Sequence, residues 1–312
     1  MPYDASDLRS QLGSATGGPR ADGATLAPQY FVFPTLEPDE VSPLGSKSWY
    51  VRSQNCCVAF TLARPGERLG RDDQPDEYMV LLHSPDSSVV VSANGDRREV
   101  MGSAVIVVPP GKSEVAVEAQ GMVARVFSNQ AQDVLERCSN ADVYAEPDPN
   151  VAPFQPWPDP PDGYKVRVYP LADIKPDPAR FGRILRCSTM MVNYFYVDDE
   201  PRDPAKLSPH HHDDFEQISL TLEGDYVHHM RTPWTVDMSA WRPDEHHYTP
   251  SPAVTVIPPP VVHTSQAVNH MRHQLIDIFC PPRMDFSQRP GWVLNSDDYS
   301  ALPDDYPMVP PA

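Results

Sequence analysis

Three consecutive histidines, His210, His211 and His212, stand where this sequence concentrates the side chains that bind metal ions. Ten of its 11 histidines lie in the second half of the chain. Residues two apart in a β-strand point to the same face, so the first and third imidazoles can converge on one ion. Glu216 follows four residues later, beyond an expected tight turn that would bring its carboxylate back toward the imidazoles. The spacing predicts a metal site that combines imidazole and carboxylate ligands.

The elements that would position this cluster are predicted to be short β-strands. In both halves of the chain, β-branched or alternating runs of strand length are separated by turn signals such as PGE, SPDS, ANGD and PPGK. The 38 prolines argue against long helices. The spacing is typical of an all-β sandwich or barrel, and two successive units of similar size indicate an internal duplication.

A proline-rich segment, residues 145–163, divides the two units, since it cannot pair in a central strand and should be extended and stiff. We therefore expect an N-terminal barrel over residues 29–144 and a C-terminal barrel with a tail over residues 164–312. Residues 1–28 are expected to form a loose arm with a short helix at 5–12. The arm either packs on a partner subunit or is disordered.

The histidine cluster resembles the first motif of cupin barrels, which reads HxH, three or four residues, Glu, about six residues and Gly. Here it reads His210-x-His212, three residues, Glu216, seven residues and a glycine. The second cupin motif reads PxG, two residues, His, a few residues and Asn. The segment PPPVVHTSQAVN matches it with His263 at the histidine, Pro260 where the family has glycine, and the asparagine two positions late.

The resemblance implies an antiparallel jelly-roll barrel, over about residues 165–282, with one metal ion in its mouth. Carried over position by position, it implies the ligands His210, His212, Glu216 and His263. Three imidazoles and one carboxylate suit Fe(II), Mn(II), Ni(II) or Zn(II), of which we favour Fe(II). The whole chain resembles a bicupin, an all-β protein of two tandem cupin (jelly-roll) β-barrels.

The first half fits the same template without the standard metal ligands. The run DEYMVLL puts Glu77 in the glutamate position, and counting back puts Arg71 and Asp73 where the histidines would stand. VVPPGKSE resembles the second motif, but Glu114 replaces its histidine. A guanidinium in the site opposes a cation. We therefore expect a degenerate, metal-free barrel that serves packing and dimer contacts.

Three further side chains of the C-terminal barrel are candidates for catalysis. His228 and His229 are neighbours in one predicted strand, so one of them should face the barrel interior. There it could bind substrate or move protons, or it could be a satisfied core histidine. Arg231, like Tyr226, could hold a carboxylate or phenol. The even-numbered apolar residues of 218–222 are expected to form an apolar wall of the barrel.

The resemblance leaves three classes of function open, because cupin folds carry many reactions. The first is a mononuclear Fe(II) dioxygenase that uses O₂ to cleave a C–C bond of a small oxygenated substrate, aromatic or diketone-like. The second is a metal-dependent isomerase, decarboxylase or lyase that does not use O₂. The third is a non-enzymatic barrel that binds a small ligand, which a complete metal-ligand set disfavours.

Composition narrows the expected partners. The net charge of −18, from 25 basic and 43 acidic residues, disfavours nucleic acid and anionic membranes. We see no apolar run approaching the ~18 residues of a membrane span and no apolar region typical of a signal peptide. Five cysteines without a CxxC pair fit a reducing compartment. We expect a cytoplasmic protein that acts on a small molecule and forms a homodimer or larger homo-oligomer.

Overall fold

The computed structural model describes residues 25–303 and 305–310. Most of the predicted arm, including its helix at 5–12, lies outside these residues. The strands of the first half are β1 (Gln29–Val32), β2 (Glu40–Val41), β3 (Lys47–Arg52), β4 (Cys56–Ala63), β5 (Arg68–Gln74), β6 (Tyr78–Leu82), β7 (Ser88–Ala93), β8 (Asp96–Met101), β9 (Ala104–Val108), β10 (Gly111–Val117) and β11 (Gly121–Ser128). Those of the second half are β12 (Arg167–Pro170), β13 (Gly182–Arg186), β14 (Met191–Phe195), β15 (Gln217–Glu223), β16 (Asp225–Arg231), β17 (Glu245–Pro250), β18 (Ala253–Ile257), β19 (Val262–Val268) and β20 (Gln274–Phe279). The α-helices are α1 (Gln132–Leu135) and α2 (Met284–Ser287).

Two antiparallel sheets form the N-terminal barrel. One has seven strands in the order β12-β9-β6-β11-β4-β3-β2, and the other has four in the order β5-β10-β7-β8. The buried residues inside it are mostly valine, isoleucine and alanine, whose branched or small side chains fit a narrow interior between pleated sheets. Helix α1 adds Val134 and Leu135 to this interior.

The C-terminal barrel has the same plan. Six strands in the order β1-β18-β15-β20-β14-β13 face three in the order β17-β16-β19. All of these strand pairs are antiparallel. The sequence-based prediction of an all-β fold with two tandem jelly-roll barrels is confirmed.

The two halves exchange one strand each. Strand β1 pairs with β18 of the C-terminal barrel, with Gln29 opposite Val256. Strand β12 pairs with β9 of the N-terminal barrel, with Arg167 opposite Val107. Each exchanged strand covers an edge that would otherwise leave unpaired backbone groups. The predicted domain bounds assign strands by their order in the chain. In the structure, β1 belongs to a sheet of the C-terminal barrel and β12 to a sheet of the N-terminal barrel.

A large apolar core lies between the barrels. It joins residues such as Phe60 and Met79 of the first half to Ile276 and Ile278 of the second. These residues alternate along their strands with residues that face the barrel interiors. The even-numbered residues of β15 that we expected inside the C-terminal barrel belong to this core instead: Ile218, Leu220 and Leu222. Within the described ranges, no helix is both long enough and apolar enough to cross a membrane.

Candidate metal centre

Three of the four predicted ligands come together in the C-terminal barrel. His210 and His212 precede β15, and His263 lies on β19; their ligand nitrogens all lie within 4.8 Å of one another. All three side chains are buried. The backbones of His210 and His263 exchange two hydrogen bonds, of 3.0 and 2.7 Å, which join the two motifs directly. Residues 53 positions apart in the chain are thus fixed side by side.

Backbone carbonyl groups set the orientation of two of these rings. Nδ1 of His210 lies 2.9 Å from the oxygen of Ser208, and Nδ1 of His263 lies 2.9 Å from that of Val261. A carbonyl only accepts hydrogen bonds, so each Nδ1 carries the proton and each Nε2 keeps its lone pair. Metal-binding histidines are commonly oriented by such a bond on the other ring nitrogen.

The charge state of the triad also suits a metal ion. Burial lowers the pKa of His212 well below its ordinary value, and Arg283 and His263 act in the same direction. This ring is therefore neutral near pH 7, which is the form that binds metal. Three buried imidazoles are a donor set that fits a divalent transition metal such as iron, manganese, nickel or zinc.

Glu216 does not join the triad, which corrects our expectation of a carboxylate ligand. Its two oxygens accept hydrogen bonds from the backbone N–H of Gln54, at 2.5 Å, and from the hydroxyl of Tyr144, at 2.8 Å. Both partners belong to the first half of the chain. Glu216 immediately precedes β15 and points to the same side as the apolar residues packed between the barrels, so its carboxylate faces away from the histidines.

Gln217 takes the place next to the triad. Its Oε1 lies 2.9 Å from Nε2 of His212. Its amide nitrogen donates to Oγ of Ser219, at 2.9 Å, and to Oδ1 of Asp277, at 3.0 Å. A carboxylate accepts only, so Asp277 fixes the amide with its oxygen toward the imidazole. The position that would carry a negative charge in the cupin motif carries a neutral amide.

The sequence contains a signal for this assignment that we did not use. The cupin motif allows either three or four residues before its acidic position and then about six before the glycine. Four residues lie between His212 and Gln217, and six lie between Gln217 and Gly224. This position requires glycine, because its φ is +86° and an added Cβ would lie 2.4 Å from Cδ2 of His273. Counting back from the glycine therefore finds Gln217.

A cavity of about 420 Å³ opens beside the triad. His210, His263 and Gln217 form part of its wall. Aromatic and aliphatic side chains cover other parts, and the polar residues among the rest include Asp277. Most of its lining residues are polar or charged, so this concave site suits a small polar molecule.

His228 is the member of the predicted pair that faces the barrel interior. Along β16 the buried residues alternate, and His228 lies opposite Ser265 of β19, with Ser265 Oγ 2.9 Å from its Nδ1. Burial lowers the pKa of His228 to about 3, and the nearby His263 contributes. His228 is therefore neutral at physiological pH and meets the cavity through Ser265, which lines it.

His229 and Arg231 lie on the outer face of the same strand, which corrects their assignment to catalysis. His229 contacts His246, at 2.7 Å between the Nδ1 atoms, and Gln266, at 3.0 Å. The side chain of Arg231 is 70% exposed and pairs with Asp244 at 2.6 Å. Strand parity explains both positions, since they are odd-numbered where the interior residues are even-numbered.

Two residues of the cavity were missed by sequence reasoning. His273 is buried, its Nε2 donates to the oxygen of Val268 at 2.8 Å, and its Nδ1 has no hydrogen-bond partner in the part of the chain that the structure describes. Arg202 donates to the oxygen of Ser265, at 3.0 Å, and to Oγ of Ser208, at 2.8 Å. Arg202 lies in an irregular loop, where no spacing rule indicates a role.

The predicted counterparts in the N-terminal barrel are dispersed. Glu77 is buried between the barrels and accepts hydrogen bonds from Ser188 and Tyr299. Asp73 is exposed, and Glu114 forms an ion pair with Arg68 on the outer face of its sheet. Arg71 reaches the interior side and binds Asp133 of α1.

Comparisons with known proteins support the fold. Neither a protein-family model nor a curated protein matches the sequence. Among solved structures, the oxalate decarboxylase of Lactobacillus farciminis in complex with formate is 14% identical, with a TM-score of 0.55, over 90% of this chain and 96% of that one. AerE from Microcystis aeruginosa is 11% identical, with a TM-score of 0.51, over 78% of this chain and 96% of that one. A variant of the Bacillus subtilis oxalate decarboxylase is 11% identical, with a TM-score of 0.51, over 92% of this chain and 88% of that one. Together with the two jelly-roll barrels, these likenesses show that the chain has a bicupin fold, with two cupin-like barrels in tandem.

Proposed function

We propose that the C-terminal barrel is the active barrel of a metal-dependent enzyme that converts a small oxygenated molecule. The observation that carries the proposal is the buried triad of His210, His212 and His263, of which His210 and His263 line the cavity. A divalent ion held there would polarise substrate oxygens as a Lewis acid and, as Fe(II), would also pass electrons between substrate and O₂.

The chain's own residues would bind and orient the substrate. Arg202 and Tyr226 line the cavity and offer a guanidinium and a phenol to its oxygens. His273 lines the same cavity, and its bond to Val268 keeps the proton on Nε2 and a lone pair on Nδ1. We assign His273 the role of proton acceptor, in place of the pair His228 and His229.

The neutral donor set indicates the class of substrate. The three imidazoles and the Gln217 amide add no negative charge next to the ion, and the carboxylate of Asp277 is engaged by that amide and by Ser219. Anionic oxygen donors, such as an enolate, a phenolate or a carboxylate, are therefore favoured at the ion, whereas the carboxylates of Asp198 and Glu200 line other parts of the cavity. A substrate with two adjacent oxygens fits this site best.

For the reaction, we place first the O₂-dependent cleavage of a C–C bond by an Fe(II) enzyme. Aromatic and apolar cavity residues, such as Phe195, Tyr226 and Leu275, support it, because they suit an oxygenated aromatic or a diketone. A decarboxylase or lyase that does not use O₂ is the second candidate. It is favoured by the likeness of fold to two structures that are named as oxalate decarboxylases.

The first experiment is metal analysis of the untagged protein by mass spectrometry, with His263→Ala as the test variant. His246→Ala is the matched control, since this histidine is exposed on the outer face. We expect about one ion per chain in the wild type and in the control, and none in His263→Ala. Equal metal in all three proteins, or none in any, would refute the site.

The second experiment separates the two reactions. Protein loaded with Fe(II) is given aromatic diols, β-diketones, oxalate and 2-oxo acids, first in air and then under argon. Consumption of O₂ with loss of substrate in air alone identifies the dioxygenase. Release of CO₂ that continues under argon identifies the decarboxylase. Light scattering of the same samples tests the proposed homo-oligomer.

A further inference from the structure

The two barrels can be superposed residue by residue along their central strands. Glu77 and Glu216 are both buried between the barrels, and each directly precedes a strand, β6 or β15. In the C-terminal barrel, Ser219 lies opposite Asp277. The equivalent pair in the N-terminal barrel is Val80 opposite Arg125. A guanidinium therefore occupies the place that a carboxylate holds beside the candidate metal centre.

The histidine positions have equivalents as well. His210 is seven residues before Gln217 and pairs with His263. Arg71 is seven residues before Tyr78 and pairs with Ser113. The hydroxyls of Tyr78 and Ser113 lie 3.1 Å apart inside the barrel. The site of the N-terminal barrel thus presents guanidinium and hydroxyl groups where the C-terminal barrel presents imidazoles and an amide.

Arg125 is the unusual member of this set. It is only 6% exposed, its guanidinium stacks on the ring of Phe127 with 5.6 Å to the centroid, and its Nε has no hydrogen-bond partner among the described residues. No carboxylate in residues 25–303 or 305–310 forms an ion pair with it. A buried cation without a partner is strongly unfavourable, and arginine stays charged in proteins.

The neighbouring charges that the structure describes supply no ion pair to Arg125, although Glu40 lies near enough to attract it. Arg71 is bound by Asp133, and Arg137 is bound by Glu40, so each of these guanidiniums already has its own carboxylate. Both lie near enough to Arg125 to disfavour its charge, and burial acts in the same direction to lower its pKa. The interior therefore carries an excess of positive charge.

We propose that the N-terminal barrel binds a small organic carboxylate, held by Arg125, at the place equivalent to the metal centre of the C-terminal barrel. A planar guanidinium matches a carboxylate through two parallel hydrogen bonds. The hydroxyl of Tyr78 or Ser113 can donate a further one. The surrounding side chains are apolar and include Val80, so a hydrogen bond to Arg125 would be shielded from water. This inference does not depend on the reaction of the other barrel.

The test is calorimetric titration of the full-length protein with sodium acetate and sodium malonate, against sodium chloride and sodium phosphate at equal ionic strength. Arg125→Met removes the charge and keeps much of the volume. Arg64→Met is the matched control, because Arg64 is exposed on the same barrel and contacts Gln120. His263→Ala reports any binding at the other site. We expect Arg125→Met to weaken carboxylate binding in the N-terminal barrel at least tenfold, Arg64→Met to bind like the wild type, and His263→Ala to retain the binding that Arg125→Met loses.

Thermal melting distinguishes a loss of carboxylate binding from a loss of folding in the variant. Because Arg125 lacks a partner, its replacement by methionine should leave the melting temperature without ligand unchanged or higher. Carboxylate should raise the melting temperature of the wild type and not that of Arg125→Met. The proposal is overturned if the wild type binds no carboxylate, if the variant binds it equally, or if phosphate binds as well as acetate.

Discussion

Glu77 and Glu216 occupy equivalent positions in the two barrels, and each carboxylate points out of its own barrel into the other half of the chain. Glu77 accepts two hydrogen bonds from Ser188, at 2.9 and 2.8 Å. Glu216 accepts one each from Gln54 and Tyr144. Both acids therefore join the barrels, although in sequence each lies where a metal ligand is expected.

The residue that follows each acid points into the barrel. Tyr78 follows Glu77 and reaches Ser113, while Gln217 follows Glu216 and reaches His212. Alternation along the strand requires this, because neighbouring side chains face opposite sides. The identity of this next residue is therefore what distinguishes the two interiors, and it gives the first prediction.

Gln217→Glu should make stability depend more strongly on metal. The new carboxylate would lie beside Asp277, which accepts a hydrogen bond from the Gln217 amide at 3.0 Å, so two like charges would face each other in the metal-free protein. A bound divalent ion would offset that repulsion. We expect a lower melting temperature than wild type in chelator and a larger rise on adding Mn(II) or Zn(II).

Glu216→Gln is the matched control for this experiment. It replaces a carboxylate with an amide, which is the reverse of the change at Gln217, and it does so on the face between the barrels. Its metal content and metal-dependent rise in melting temperature should equal those of the wild type. If Glu216→Gln lost metal and Gln217→Glu did not respond, Glu216 would be the ligand after all.

The pH dependence of stability should contain a contribution from Glu216. Burial raises the pKa of this carboxyl from 4.5 to about 7, although hydrogen bonds from Gln54 and Tyr144 oppose the shift. Between these two pH values the unfolded chain releases the proton and the folded chain retains it. Stability from this group is complete below pH 4.5 and is lost as pH rises toward 7, by about 1.4 kcal/mol per pH unit.

Urea unfolding at several pH values from 4.5 to 8 measures this effect. Glu216→Gln cannot ionise, so its unfolding free energy should change less across this range than that of the wild type. Across this pH range, the unfolding free energy of the wild type should fall by roughly 3 kcal/mol more than that of Glu216→Gln. Glu118→Gln, at an exposed position, should follow the wild-type curve. Parallel curves for the wild type and Glu216→Gln would contradict the assignment.

The fold and the triad could be predicted because their signals are local and periodic. Alternating runs and turn residues define the strands, and HxH places His210 and His212 on one face. The face of β15 could not be predicted from burial, because both sides of this strand are buried. Ile218, Leu220 and Leu222 suit a barrel interior as well as a core between barrels, and the sequence does not say which is present.

The remaining cavity residues could not be predicted because their contacts are distant in sequence. Arg202 reaches Ser265, 63 residues away. His273 owes its position to the hairpin at Gly224, whose backbone it approaches closely. Parity along β16 permitted either His228 or His229 inside, and only the pairing with β19 selects His228.

Gly224→Ala should destabilise the C-terminal barrel. A Cβ at this position would lie 2.4 Å from Cδ2 of His273 and 2.8 Å from the oxygen of Arg272, and the φ of +86° is unfavourable for alanine. We expect a loss of roughly 1–3 kcal/mol in the free energy of unfolding, measured with urea. Gly95→Ala has a similar φ of +84° but no atom within 4 Å, so it separates backbone strain from the clash. Equal losses in the two variants would show that the contact with His273 does not matter.

His273→Gln should separate proton transfer from metal binding. A glutamine amide can replace the hydrogen bond from Nε2 to Val268, but it offers no basic nitrogen in place of Nδ1. With the substrate that the panel identifies, we expect unchanged metal content and a kcat lower by about 10²–10⁴-fold. His246→Gln, on the outer face, should keep wild-type kcat. A His273→Gln variant with normal kcat and a raised KM would assign His273 to substrate binding instead, and a loss of metal would assign it to the support of the triad.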